Sequence, residues 1–232
     1  MTTLLHIDTA GPIAIVGLSR DKQPIAFKQN EVSTTHAQFV QVAIQQLCKE
    51  SGIALSQIDA VVVTLGPGSY TGLRVGLASA KGLAFALNKP LIGLSTLALL
   101  ADVAIQNVEN ITIPNSNLQI FSMIDAKRME VFGGIFSMQL VQIQMEQAMI
   151  IDVPFMHSLL EKGPIVCVGS GIDKTKQTLT HPDLYYCNEQ YTIHHMIHLA
   201  LEKYKANQFE NIAYVSPSYL KEYYMPQSTK QR

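Results

Sequence analysis

An almost unbroken β-branched run, Ala60-Val61-Val62-Val63-Thr64-Leu65, leads directly into Gly66-Pro67-Gly68-Ser69-Tyr70-Thr71-Gly72, and a helical pattern follows. A run of this length closed by turn residues predicts a strand buried on both faces. A buried strand that feeds a helix through a tight turn is the repeating unit of a parallel sheet. Within that helix, over about 72–87, Gly72, Gly76, Ala80 and Ala84 stand four apart and leave an edge with almost no side-chain bulk. Another backbone can approach such an edge, either the chain's own sheet or a helix of a second chain.

The surrounding pattern sets the architecture. Residues 4–8 and 13–18 are short apolar runs separated by Thr9-Ala10-Gly11-Pro12, which predicts a β-hairpin, and 25–28 supplies a third strand. A helix over about 34–50 follows, with Ser33, Thr34 and Thr35 as candidate N-caps and apolar residues at Ala37, Val40, Ile44 and Leu47. Phe39 and Ala43 widen its apolar stripe. With a strand at 91–94 and a third helix from Ser95, the order βββαβαβα predicts a mixed sheet flanked by helices, the layout of a ribonuclease-H-like or actin-like lobe. The polar stretch 109–117, with Pro114, marks a boundary between an N-terminal lobe, 1–108, and a C-terminal lobe, 109–226. In the second lobe strands are expected at 118–124, 131–136, around 149–152 and at 165–168, and helices at 153–160 and 193–204. No internal repeat is visible, and 227–232 is expected to be a frayed tail.

Composition excludes several functions. Over 232 residues the formal net charge is −1, too little clustered Lys and Arg for a protein that holds nucleic acid alone. Only 15% of residues are charged and 47% are hydrophobic, which leaves apolar surface available for association. Cys48, Cys167 and Cys187 are far apart and lack metal-knuckle or disulfide-framework spacing. No leader and no membrane span are expected, so the location expected is cytoplasmic.

Motif chemistry is equally restrictive. The glycines at 66, 68 and 72 make an anion-friendly corner at a helix start, but no Lys-Ser or Lys-Thr pair follows as in a Walker A loop. The third glycine is one residue late for a dinucleotide fingerprint, and Pro67 excludes a nucleophile elbow around Ser69. His194 and His198 share a helix face without a Glu or third ligand, so an exposed helix face is expected there. His36 has no Ser or Cys partner at a recognisable spacing, and a capping or interface role is expected.

The run from Gly66 to Gly76, continuing Ala78-Ser79-Ala80-Lys81-Gly82-Leu83-Ala84, resembles the signature of the TsaB family. Ile7-Asp8-Thr9, His36, Asp125-Ala126-Lys127-Arg128-Met129-Glu130 and Pro217-x-Tyr219-Leu220-Lys221 fall where that family has similar motifs, the last with Lys in place of Arg. The resemblance implies an actin-like ATPase fold of two related lobes, and a chain without catalytic residues that serves threonylcarbamoyl transfer to adenosine-37 of tRNA. It implies TsaD and TsaE as partners, tRNA met through the complex, and a homodimer when TsaD is absent. TsaD-like relatives carry two metal-binding histidines at positions that fall here on Thr96 and Leu100, neither of which can replace an imidazole. No metal and no cofactor of its own are therefore expected, with ATP and metal on TsaD and TsaE. Asp8, Thr9, Gly66 and Gly68 are degenerate phosphate-loop candidates, or turn residues only. The expected interface comprises His36, Phe39, Val40, Ala43 and Leu47 of the first helix with Gly72, Leu73, Gly76, Ala80 and Ala84 of the second. Gly76→Leu or Ala80→Leu is then expected to block pairing without unfolding the chain. Asp125, Lys127, Arg128 and Glu130 either contact TsaD, TsaE or tRNA or form a solvated edge. An ATP-dependent phosphotransferase is the competing reading, and a peptidase lacks any recognisable catalytic set.

Overall fold

The computed structural model describes residues 1–31, 36–108 and 117–221. The candidate caps Ser33, Thr34 and Thr35, most of the 109–117 boundary, the tail 227–232 and the His36 side chain lie outside the described residues.

Strands β1 (Thr3–Asp8), β2 (Ala14–Arg20) and β3 (Gln23–Asn30) form an antiparallel meander. Helix α1 (His36–Ser51), strand β4 (Ala60–Gly66), helix α2 (Tyr70–Leu87) and strand β5 (Leu91–Ser95) then add two strands parallel to β1, in the order β3-β2-β1-β4-β5. Helix α3 (Thr96–Asn107) leads to β6 (Gln119–Asp125), β7 (Glu130–Ser137), β8 (Gln142–Ile150), α4 (Val153–Leu160), β9 (Ile165–Val168), α5 (Ile172–Thr178), β10 (Leu184–Cys187) and α6 (Ile193–Lys205). The second sheet, read from its own meander, runs β8-β7-β6-β9-β10. Both sheets therefore follow one path, and the chain has two related α/β lobes, each a mixed sheet flanked by helices, as the family resemblance implies. The halves share strand order and the alternation of buried positions, not residue identities, which is why no repeat shows in the sequence.

Helices α1 and α2 cover one face of the first sheet. Val40, Ala43, Ile44 and Leu47 of α1 meet Leu5, Ile7, Val16 and Val61 in a single cluster. The sheet's other face is covered by α6, whose Ile193, Met196 and Ile197 pack on Leu4, Ile15, Val62 and Ile92. Helix α3 lies mainly on the second sheet, with Leu97, Leu100 and Val103 against Ile120, Val166 and Val168. The two helices meet where Asp102 Oδ1 and His198 Nδ1 lie 3.0 Å apart. Each lobe thus contributes a helix to the layer between the sheets.

The second half differs from expectation at three places. Strand β8 starts at Gln142, earlier than expected, because its Gln-Ile-Gln-Met-Glu-Gln run reads as polar; it is an edge strand with Ile143 and Met145 exposed. Helix α5 has one apolar residue in seven, and β10 is four residues long, too short for a periodicity to register.

The expected interface is corrected on α2. Gly72, Leu73, Gly76, Ala80 and Ala84 all face inward. A Cβ at Gly72 would collide with the Thr9 carbonyl oxygen, and one at Gly76 with the Thr9 hydroxyl. The slim edge exists so that α2 can lie directly on the end of β1 and on Val63 of β4. Val40, Ala43 and Leu47 of α1 are likewise buried in the chain's own core, and Phe39 packs partly buried against it. None of the fully buried members of this set is available to another chain.

Candidate functional site

The carboxyl ends of the parallel strands β1 and β4 meet at the corner that holds the phosphate-loop candidates. Asp8 is completely buried. Its Oδ1 accepts from the Thr64 hydroxyl at 2.5 Å and from the Ala10 N–H at 2.9 Å, and its Oδ2 accepts from the Tyr191 hydroxyl at 2.8 Å. Burial and the facing Asp8 hold the Tyr191 phenol well above its ordinary range. The two turns are closed against each other. The Ser69 N–H donates to the Ala10 carbonyl at 2.8 Å, and the Thr9 hydroxyl donates to the Gly72 carbonyl at 2.7 Å. A Cβ at Gly68 would collide with the Ala10 oxygen. Asp8, Thr9 and Gly68 are thus brought together, with Gly66 at the end of β4 against Leu73 and the Ser218 carbonyl. The arrangement does not fit a nucleotide, because the two turns are held in contact at Ser69–Ala10 and Thr9–Gly72 and the buried Asp8 carboxylate would oppose a phosphate's charge.

Thr96 and Leu100 lie one turn apart at the start of α3, both buried. The Thr96 hydroxyl has no hydrogen-bond partner, and Leu100 belongs to the apolar layer between the sheets. This donor set does not fit a transition metal. Among the described residues no group of three His, Cys, Asp or Glu is placed to hold one. His195 caps its own helix, its Nδ1 accepting from the Thr192 N–H at 3.0 Å, and His198 faces Asp102, so the three histidines of α6 do not converge.

A strap formed by the C-terminal motif joins the two lobes. The Ser218 N–H donates to the Leu65 carbonyl at 2.7 Å, Leu220 packs in the layer between the sheets, and Lys221 Nζ meets Glu130 Oε2 at 2.5 Å. Between them, the Tyr219 hydroxyl accepts from Arg74 Nε at 3.0 Å, and its ring lies 5.0 Å from that of Tyr70. The β6–β7 turn is bound in as well: Asp125 Oδ1 accepts from Lys174 Nζ and from the Lys127 N–H, both at 2.6 Å. These contacts hold the Asp125 and Glu130 carboxyls below their usual range, through Lys174 and Lys221 respectively. Lys127 and Arg128 stand at the tip with left-handed φ of 69° and 49°. The partners Tyr70 and Arg74 could not be read from sequence, since 145 residues separate Arg74 from Tyr219.

The outward side of α1 and α2 is the remaining surface. It carries Gln38, Gln41, Val42 and Gln45 from α1 and Ala78, Gly82, Phe85 and Ala86 from α2, with Phe85 80% exposed. The two helices are tied by Gln41 Nε2 donating to Ser79 Oγ at 3.1 Å. A second slim stripe, Ala78, Gly82 and Ala86, therefore faces outward, and a Cβ at Gly82 would touch nothing. Its four-residue spacing was the signal that could have found it.

Comparison with known proteins bears on identity. The family profile described as "TsaD: tRNA N6-adenosine threonylcarbamoyltransferase" matches residues 28–222. The chain is 34% identical over 133 residues to the Haemophilus influenzae "tRNA threonylcarbamoyladenosine biosynthesis protein TsaB", a match covering 56% of this chain and 52% of that protein. To the Bacillus subtilis protein of the same name it is 28% identical over 181 residues, 76% of this chain and 75% of that one. The chain thus spans about half the length of the first of these relatives. Its fold is that of YeaZ from Pseudomonas aeruginosa, with a TM-score of 0.74 at 24% identity, covering 95% of this chain and 100% of that one. With most of its length matched by the profile, the chain belongs to the TsaD family, and the relatives it resembles over these spans are named TsaB.

Proposed function

We propose that this chain is a non-catalytic partner subunit in threonylcarbamoyl transfer to adenosine-37 of tRNA, binding and activating TsaD with TsaE joining the cycle. What supports the reading is that Thr96 and Leu100, which stand where the resemblance puts the metal-binding histidines of TsaD-like relatives, are both buried and offer no imidazole. The names of the relatives support a place in tRNA threonylcarbamoyladenosine biosynthesis. ATP and metal then belong to TsaD and TsaE, the site of action is the cytoplasm, and a second copy of this chain takes the partner face when TsaD is absent. No helix among the described residues is long and apolar enough to cross a membrane. The competing phosphotransferase would require Asp8 to release Thr64 and Tyr191 and the turns around Ala10 and Gly68 to separate.

The direct test reconstitutes transfer to tRNA from TsaD, TsaE and this chain. Omitting the chain is expected to abolish sustained turnover, and undiminished turnover without it would end the reading.

The partner face moves to the outward side of α1 and α2. Phe85, Val42, Ala78 and Gly82 offer an apolar centre with a glutamine rim, the composition of an interface core. Gly82→Arg and Phe85→Glu are therefore expected to prevent co-purification with TsaD, with a circular dichroism spectrum and melting temperature close to those of the parent chain. Normal recovery of TsaD by both variants would remove the face from consideration.

A further inference from the structure

Arg74 is exposed on the first turns of α2, and among the described residues no carboxylate pairs with it. It is nevertheless held. Its guanidinium lies 4.0 Å over the Tyr70 ring, and its Nε donates to the Tyr219 hydroxyl at 3.0 Å. Exposed arginines ordinarily give up rotamer freedom when they bind; this one is already ordered by two tyrosines that themselves remain 41% and 43% exposed. A flat, immobilised, positive plane beside aromatic rings is suited to a second flat ring that carries negative charge nearby. A nucleotide has both. An acidic protein side chain would use the charge and leave the rings idle.

Further cations continue the surface along the strap. Lys221 follows Tyr219 by two residues and meets Glu130, whose carboxylate also feels the charge of Arg128. Lys127 and Arg128 stand together at the tip of the β6–β7 turn, in no ion pair among the described residues.

We infer that the Tyr70–Arg74–Tyr219 stack, extended by Lys221, Arg128 and Lys127, is a docking surface for a single-stranded RNA loop, one base stacking on the aromatic and guanidinium planes while its phosphates meet the flanking cations. The inference rests on the reading above that this chain serves a tRNA-modifying complex, and it adds a direct contact with the RNA. A chain of net charge −1 contributes only a few phosphate contacts, so the affinity of the isolated chain is low and falls steeply with salt.

The probe is a fluorescently labelled anticodon-arm RNA hairpin, titrated with the full-length chain at low ionic strength and followed by anisotropy. Arg74→Met keeps the aliphatic stem and removes both charge and plane. It is expected to weaken binding about tenfold, the loss typical of one stacked base, and to lower the slope of log K against log salt by about one. Arg74→Lys restores the charge without the plane and is expected to recover the slope but not the affinity. Recovery of TsaD by each variant, measured in parallel, is expected to be unchanged. Equal affinity and slope for parent and Arg74→Met would overturn the inference. So would undetectable RNA binding by the parent, or loss of TsaD in place of RNA, which would make the surface a protein contact. If Arg74→Met loses RNA affinity while transfer proceeds without this chain, the surface stands and only the partner reading falls.

Discussion

Gly76→Leu is expected to unfold this chain or to lower its melting temperature by about 10 °C, the reverse of what a partner-facing glycine would do. A Cβ at Gly76 already collides with the Thr9 hydroxyl, which is buried and donates to the Gly72 carbonyl one turn earlier. Thr9 is fixed in turn, because it lies in the turn that closes on Ser69. The leucine can be seated only by lifting α2 from β1 and β4, which opens the contacts of Leu77, Ala80 and Ala84 with the sheet. Overpacking of this kind costs about 1–3 kcal/mol, and the lost buried hydrogen bond about another 1 kcal/mol. Against a net stability of about 5–15 kcal/mol, a loss of about 3 kcal/mol lowers the midpoint by about 10 °C in a chain of this size. Gly82→Leu is the control on the opposite face of the same helix, where nothing lies within 4 Å of a new Cβ. Thermal melts followed by circular dichroism should separate the two, and equal melting temperatures would mean that the inward stripe tolerates bulk.

That contrast marks where sequence ceased to be informative. The β-branched run ending at Leu65 could become little else than a central strand, and Ser69 and Asn88 cap α2 as residues of their type do, Asn88 with a left-handed φ of 51°. The order of elements then set the first lobe. Helix α2, however, has small residues on two faces, Gly72-Gly76-Ala80-Ala84 and Ala78-Gly82-Ala86, and periodicity alone does not say which faces the sheet. The choice is made by Thr9, sixty-three positions from Gly72, whose turn needs a backbone laid directly on it. The same limit hid the strap: Pro217-x-Tyr219-Leu220-Lys221 could be noticed as a motif, but its work lies in contacts with Leu65, Arg74 and Glu130 that exist only after both lobes have formed. The phosphate-loop candidates were legible only as a choice between a degenerate loop and turn chemistry. Asp8 and Gly68 converge, but Tyr191, 183 positions from Asp8, carries no local signature.

Mild acidification is expected to destabilise the chain through His6. This imidazole lies on the central strand β1, fully buried, with Nε2 2.8 Å from the Ser19 hydroxyl and Nδ1 without a partner. Burial with no facing carboxylate lowers its pKa from 6.5 to about 3. The unfolded chain accepts a proton near 6.5, whereas the folded chain refuses it until about 3. Stability is therefore complete above 6.5 and falls as pH drops toward 3, by up to about 1.4 kcal/mol per pH unit. Between about pH 6.5 and about pH 5 the loss approaches about 2 kcal/mol. Other groups act in the same region: His195, also lowered by burial, adds a loss of the same sign, and Glu146, raised by burial, opposes it. Asp125 and Glu130, whose carboxyls are lowered by Lys174 and Lys221, contribute stability that disappears only at more acid pH. The difference between the parent chain and His6→Gln cancels these shared contributions. Urea midpoints measured across the window should fall for the parent and stay markedly flatter for His6→Gln, so that the two curves approach one another as the pH is lowered. Parallel curves would show that His6 binds its proton as readily in the folded chain as in the unfolded one, and the core of the first lobe would then have to admit a charge beside Ser19.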